Sequence, residues 1–208
     1  MKYFRRYIAI TLSAFIALLA IWQGYKFYQS QAILKDIKKE LLSDIVLGNP
    51  TAKNNVIVFF DYNCTYCQQF IKEVYPELQR GVFEKYDLKI TLRLVCRSTD
   101  VKATAAYQTA ICLYQAGGDY MKLHQLLMHE PAIIYSDYFT QIREDYIHSN
   151  ELLAECILNK ENEDVKRNIF QFQHLETRGT PTFIVGNNVI KGFKNKQVFE
   201  SIVASEFN

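Results

Sequence analysis

Two cysteines that follow directly on an apolar run constrain the fold of this chain more than any other feature. Residues 56–60 (VIVFF) form a continuous apolar run, which predicts a buried strand. Cys64 and Cys67 come next, separated by two residues. Apolar residues at helical spacing follow the pair: Phe70, Val74 and Leu78. The sequence therefore predicts a strand, a turn and a helix, with Cys64 at the helix N-terminus.

This position predicts different chemistry for the two thiols. Unpaired backbone N–H groups and the helix dipole favour a negative sulfur at a helix N-terminus, so Cys64 is expected to be the reactive thiolate. Cys67 lies one turn further along, where it can attack a mixed disulfide formed on Cys64 and release the bound partner. The pair therefore predicts thiol:disulfide exchange.

Other uses of a Cys-x-x-Cys pair fit the sequence less well. Structural zinc needs a second such pair, but the three remaining cysteines are isolated. A copper site could add a histidine to two thiolates, but the four histidines have no ligand spacing relative to the pair. A purely structural disulfide across so short a loop would stabilise little. We therefore expect no metal and no organic cofactor.

The N-terminal segment predicts export. Lys2, Arg5 and Arg6 precede an uncharged, largely apolar run over residues 7–22, as in a signal peptide or signal anchor. Basic residues on this flank keep it in the cytoplasm and place the rest in the periplasm or on another extracytoplasmic side. The chain is then either tethered by an anchor or released by cleavage. No small-x-small triplet follows the run directly, which favours the anchor.

The exported part has nearly balanced charge. Removing the three N-terminal basic residues from the 24 Lys and Arg leaves 21, against 22 Asp and Glu. This balance gives no indication of nucleic-acid binding. Residues 31–43 predict a short amphipathic helix, which either packs on its own domain or allows self-association of the chain. The first core strand is expected only after Gly48-Asn49-Pro50.

The pattern beyond the cysteine pair predicts an α/β frame that is interrupted by helices. Residues 88–95 alternate apolar and polar side chains, which predicts a second strand, parallel to the first and with one buried face. Pro76 is expected to kink the first helix. Helical patterns follow over residues 101–117, 119–128, 136–148, 150–159 and 163–176. Strand patterns return at residues 182–185 and 189–191, before a final helix at 195–204.

Three features in this order resemble the DsbA family of exported thiol:disulfide oxidoreductases. They are Phe59-Phe-Asp-Tyr-Asn-Cys64-Thr-Tyr-Cys67, the helical insertion, and Gly179-Thr-Pro-Thr-Phe183 followed by Gly186. The resemblance implies a thioredoxin fold interrupted by an inserted all-helical domain. The expected parts are a signal or anchor (1–24), an amphipathic helix and linker (25–50), the first part of the thioredoxin fold (51–98), the helical insertion (99–177) and the second part (178–208).

The resemblance also implies a function and a set of site residues. The Cys64–Cys67 disulfide would be donated to reduced, unfolded exported proteins and restored by a membrane partner of the DsbB type. Pro181 would be a cis-proline against the redox pair, and Thr180 would offer backbone atoms to an extended substrate, with Thr65 and Tyr66 also in contact with it. A second disulfide would join Cys112 and Cys156; the alternative is two buried thiols.

The chain departs from well-known members of that family at two places. Thr65-Tyr66 replaces Pro-His between the cysteines, so Cys64 is expected to be less acidic and the disulfide less oxidising. Val58 replaces a buried Glu, so proton transfer to Cys67 must use water or another group. Two other functions therefore stay open: an oligomeric disulfide isomerase or reductase, and a metal-binding or chaperone-like module without turnover.

Overall fold

The computed structural model describes residues 2–159, 163–175, 177 and 179–207. The chain divides into two compact units on either side of the Lys39–Glu40 bond. The helix end predicted at Glu176 and the domain boundary predicted at Arg178 lie outside the described residues.

The first unit contains one long helix, α1 (Lys2–Ile37, 36 residues). Within it, the 28 residues Ile10–Ile37 are long and apolar enough to cross a membrane, a test that a signal sequence also passes. The separate helix predicted over residues 31–43 is wrong, because α1 continues to Ile37 and residues 38–43 are not helical. Nothing breaks the helix earlier, since residues 23–37 contain no proline, and a glycine such as Gly24 costs a helix only about 1 kcal/mol.

The second unit contains a mixed sheet of five strands in the order β1-β3-β2-β4-β5. The strands are β1 (Ile45–Gly48), β2 (Asn54–Phe60), β3 (Leu88–Leu94), β4 (Thr182–Val185) and β5 (Asn188–Lys191). β2 and β3 are parallel, as predicted, whereas the pairs β1–β3, β2–β4 and β4–β5 are antiparallel. The sequence interpretation missed β1, because a four-residue edge strand is too short for a periodic pattern.

β3 is buried on both faces, so the prediction of one exposed face is wrong. Its polar side chains are buried because each has partners. Arg93 is fully buried and donates to both carboxylate oxygens of Asp44 (2.7 and 3.0 Å) and to Oε1 of Gln171 (2.9 Å). The Thr91 hydroxyl donates to Oδ1 of Asn55 (2.9 Å). Polar residues at alternate positions of a strand therefore indicate an exposed face only when they have no buried hydrogen-bond partners.

Helices surround the sheet in the sequence order that the patterns predict. They are α2 (Thr65–Gln69), α3 (Tyr75–Gln79), α4 (Val82–Lys85), α5 (Val101–Gln115), α6 (Tyr120–His129), α7 (Asp137–Ser149), α8 (Glu151–Leu158), α9 (Asp164–Gln173) and α10 (Lys196–Phe207). The interruption predicted at Pro76 is present as a π-helical turn, Phe70–Val74, directly before α3. Side chains of Asp100, Asp119, Ser136 and Asn150 cap α5 to α8. A mixed sheet interrupted by these helices confirms the predicted fold class.

Candidate active site

Cys64 lies at the point where β2 leads into α2. β2 ends at Phe60, and Cys64 is the N-cap residue of α2, which begins at Thr65. The backbone N–H of Cys64 donates to the carbonyl of Asp61 (3.0 Å), which closes the turn between strand and helix. The sulfur is therefore held at the end of the helix where backbone N–H groups have no helical partner.

Several donors stabilise Cys64 as a thiolate. The hydrogen bond from the Cys67 thiol lowers the pKa of Cys64 most. Burial raises this pKa. Hydrogen bonds from the Thr180 side chain and from the backbone N–H groups of Cys67 and Tyr66 lower it further. Together they lower the pKa of Cys64 to about 5. When protonated, Cys64 can instead donate to the Thr180 carbonyl, 3.2 Å from its sulfur. At neutral pH the low pKa favours the thiolate.

Cys67 has the opposite character. Its side chain is fully buried, and burial together with the neighbouring Cys64 raises its pKa far above the ordinary value. A backbone hydrogen bond from Asp61 opposes this rise only in part. Both cysteines are free thiols in this structure. The pair therefore consists of a partly exposed nucleophile and a buried thiol that retains its proton.

The loop before β4 brings Thr180 and Pro181 to the cysteine pair. The Thr180–Pro181 peptide bond is cis, and the Pro181 carbonyl accepts a hydrogen bond from the backbone N–H of Gly192 (2.9 Å). The contact between Cys64 and Thr180 joins this loop to the helix N-terminus, although 116 residues separate them in sequence. The predicted residues thus form one site, while their role in substrate binding stays a prediction.

An aromatic pair, the exposed Tyr66 and the half-buried Phe193, lies at the edge of this site. Tyr66, between the two cysteines, is 60% exposed. Its ring stacks on that of Phe193, with centroids 6.4 Å apart and an interplanar angle of 29°. Phe193 was not among the predicted residues, because it follows β5 and nothing in its local sequence indicates a site. The pair offers an apolar surface on the helix side of Cys64.

The turn before Cys64 is held by two tyrosines from the helical segment. The Tyr107 hydroxyl of α5 donates to Oδ1 of Asp61 (2.5 Å) and accepts from the backbone N–H of Tyr62 (3.1 Å). Nδ2 of Asn63 donates to the Tyr135 hydroxyl (2.9 Å). No local pattern indicates these contacts, because the partners lie more than 40 positions apart in the sequence. They fix the backbone that carries the nucleophile.

A second polar cluster lies beneath this turn. The Tyr62 hydroxyl is 2.8 Å from Nδ1 of His124 and 3.0 Å from the Tyr120 hydroxyl, and all three side chains are buried. Burial lowers the pKa of His124 to about 4, so its ring is neutral at physiological pH. His124 is therefore a buried hydrogen-bonding residue that joins α6 to the active-site turn.

The remaining cysteines fall into two groups. Cys112 of α5 and Cys156 of α8 form a disulfide between two helices of the inserted segment. Cys96 is a free thiol of intermediate exposure beside the Thr104 hydroxyl (3.4 Å). Burial raises its pKa to about 11, which makes it a poor nucleophile. Within the described residues, no group of three His, Cys, Asp or Glu side chains could hold a metal ion.

Comparisons with known proteins identify the family of this chain. Residues 40–204 match the thioredoxin family Thioredoxin_4. Disulfide bond formation protein D of Bacillus subtilis is 24% identical over 169 residues, which cover 77% of this chain and 76% of that protein.

Solved structures extend the likeness to the whole fold. A linker-deletion variant of Proteus mirabilis ScsC has 20% identity and a TM-score of 0.66, covering 97% of this chain and 93% of that one. Wolbachia pipientis α-DsbA1 has 17% identity and a TM-score of 0.61, covering 83% and 94%. Since the family match spans most of the 208 residues, the chain belongs to this thioredoxin family, as a DsbA-like thiol:disulfide oxidoreductase.

Proposed function

We propose that this oxidoreductase acts as an oxidase, which donates a Cys64–Cys67 disulfide to the thiols of folding exported proteins. The observation that carries the proposal is the asymmetry of the pair, with a thiolate at Cys64 and a protonated, buried Cys67. A stabilised thiolate favours the reduced form of the enzyme. Its disulfide is then a strong oxidant of other thiols.

The reaction follows from which sulfur is accessible. A substrate thiolate attacks Cys64, the Cys64–Cys67 bond breaks, and Cys67 leaves with the electron pair and takes up a proton. A second substrate thiolate attacks the substrate sulfur of the mixed disulfide and expels Cys64 as a thiolate. Two electrons pass from the substrate to the enzyme, and one disulfide forms as another is lost.

Substrate would bind through main-chain atoms beside the nucleophile. An extended segment can pair with the backbone of Thr180 next to Pro181, a mode that tolerates many sequences. Thr65 and Tyr66 would contact the same segment from the first turn of α2, and the exposed Tyr66 ring provides apolar contact area. This arrangement suits reduced, unfolded proteins of varied sequence.

The proposed site of action is the periplasm or another extracytoplasmic side. It is supported by the basic flank and apolar first part of α1, which are compatible with a signal or a retained anchor. Each turnover leaves both cysteines reduced, so the cycle requires an oxidant, which we propose is a membrane partner of the DsbB type. We also propose that the chain can self-associate through residues 31–43. Sedimentation of the detergent-solubilised chain tests this by measuring its oligomeric state.

The reduction potential of the Cys64–Cys67 pair tests the direction of the reaction. The lowered pKa of Cys64 stabilises the reduced form, so the reduction potential should lie above that of a pair whose first cysteine has an ordinary pKa. The full chain is equilibrated in glutathione buffers and its free thiols are trapped. A potential near about −120 mV supports an oxidase, whereas one near about −270 mV overturns that proposal and points to a reductase.

A further inference from the structure

The proposed cycle requires a proton at Cys67 that nothing described so far supplies. Cys67 is fully buried and must gain a proton when the disulfide opens and lose it when the disulfide closes. Val58, which replaces a buried Glu, is also fully buried and apolar. Nδ1 of His124 is engaged in hydrogen bonds with two tyrosines. Cys96 keeps its own proton, because burial raises its pKa to about 11.

Two residues that line a cavity of about 450 Å³, Asp61 and Thr180, also contact Cys67. The backbone of Asp61 and the side chain of Thr180 each form a hydrogen bond to Cys67, and Cys96 lines the same cavity. Apolar side chains from α9, including Ile169 and Phe172, form another wall. A cavity of this size with polar groups on its wall can hold water.

The two oxygens of the Asp61 carboxyl have different environments. Oδ1 accepts hydrogen bonds from the backbone N–H of Asn63 (2.8 Å) and from the Tyr107 hydroxyl (2.5 Å). Oδ2 makes no hydrogen bond to any part of the chain that the structure describes. One oxygen therefore fixes the carboxyl in place while the other is available to water.

We propose that Asp61 is the proton acceptor and donor for Cys67, acting through water in this cavity. When a substrate thiolate opens the disulfide, protonated Asp61 gives its proton to the departing Cys67 sulfur. When Cys64 carries a mixed disulfide, ionised Asp61 takes the proton from Cys67. The Cys67 thiolate then attacks Cys64, forms the disulfide and expels the partner as a thiolate. The inference rests on the proposed function, since it assumes that Cys67 takes part in turnover.

The charges around Asp61 suit this role. Burial raises its pKa above the ordinary value, and Asp100 at the start of α5 adds to the rise. Tyr107, the Asn63 N–H and Arg97 oppose it. The other titratable groups that face it, Cys96 and Tyr135, both have raised pKa values and are neutral at pH 7. A carboxyl whose pKa lies closer to neutrality exchanges protons more effectively at physiological pH.

The rate at which Cys67 attacks the mixed disulfide can be measured separately from the reaction of Cys64. Reduced full-length chain in detergent, carrying Cys96→Ala and keeping Cys112–Cys156 oxidised, is mixed with 5,5′-dithiobis(2-nitrobenzoate). Cys64 attacks the reagent and releases one nitrothiobenzoate; Cys67 then attacks Cys64 and releases the second. Asp61→Asn should leave the first release unchanged and slow the second about a hundredfold, at the lower end of general-base effects.

The pH profile separates proton transfer from a structural effect. In the Cys96→Ala protein, the rate of the second release should rise with pH and level off once Asp61 is ionised. When Asp61→Asn is added, this rate should keep rising tenfold per pH unit. Asn keeps the oxygen that binds Tyr107 and Asn63, and Asp61→Glu should restore the plateau in part. Asp100→Asn removes a charge nearby and still caps α5, so it should retain the plateau.

Two different failures can be told apart. If no second nitrothiobenzoate is released, Cys67 does not resolve the mixed disulfide, and the proposed function itself fails. If it is released at the same rate and with the same pH profile in Asp61→Asn, only the role of Asp61 is overturned.

Discussion

The acidity of Cys64 should depend mainly on the thiol of Cys67. That hydrogen bond is the largest of the effects that lower the pKa of Cys64 to about 5. Hydrogen bonds to charged groups contribute about 1.5–3 kcal/mol, and S–H is a weak donor, so we take the lower value. One pKa unit corresponds to about 1.36 kcal/mol. Cys67→Ala should therefore raise the pKa of Cys64 by about one unit, to roughly 6.

The measurement is a titration of the thiolate by its ultraviolet absorbance, in a chain that also carries Cys96→Ala. Cys64 is then the remaining free cysteine, because Cys112 and Cys156 are bonded to each other. Cys67→Ser is the matched control, since its hydroxyl can donate in place of the thiol. The titration must extend well below pH 7, because Cys64 is mostly ionised at neutral pH in either variant.

The two variants should separate clearly. Cys64 should titrate near pH 5 in the Cys67→Ser variant and about one unit higher in the Cys67→Ala variant. Equal midpoints would refute the reasoning and assign the low pKa to the helix N-terminus, through the backbone N–H groups of Tyr66 and residue 67. A lower midpoint in Cys67→Ala would mean that the burial imposed by the thiol outweighs its hydrogen bond.

Three further predictions concern stability, each measured by urea denaturation. Asp44→Ala should lower the free energy of unfolding by about 3–5 kcal/mol, because the charge of Arg93 stays buried without its carboxylate. Opening Cys112–Cys156 by replacing both cysteines with Ala should cost about 4 kcal/mol, the loop entropy for a separation of 44 residues, and leave the pKa of Cys64 unchanged. Because burial lowers the pKa of His124 to about 4, from 6.5, stability should fall by up to about 3 kcal/mol as the pH drops through that range; His124→Gln should flatten this dependence.

The parts of the fold that the sequence predicted are those specified by local pattern. Apolar runs located β2 and β4, and helical patterns located α5 to α8. The position of Cys64 at a helix N-terminus followed from the strand, turn and helix around it. A signal of this kind needs only a dozen neighbouring residues, so it can be read without knowing the tertiary structure.

The parts that were missed depend on distant partners. Arg93 reads as an exposed residue of an alternating strand, and only its contact with Asp44, 49 positions away, makes it a core residue. Asp61 likewise reads as a turn residue until Tyr107 and the cavity are known. The separate helix predicted over residues 31–43 was wrong for another reason. No helix-breaking residue separates the apolar segment from the amphipathic one, so both belong to the single helix α1.

Burial of Cys67 links the two halves of the proposed mechanism. A buried thiol with a raised pKa keeps its proton at neutral pH, and that proton is the one donated to the Cys64 thiolate. The same burial prevents Cys67 from exchanging its proton directly with solvent, so the step that closes the disulfide needs a neighbouring acceptor. A carboxyl in direct contact with Cys67 would compete with Cys64 for the proton and weaken the nucleophile. An acceptor that works through water, as we propose for Asp61, leaves the hydrogen bond intact until the mixed disulfide has formed and Cys64 no longer needs it.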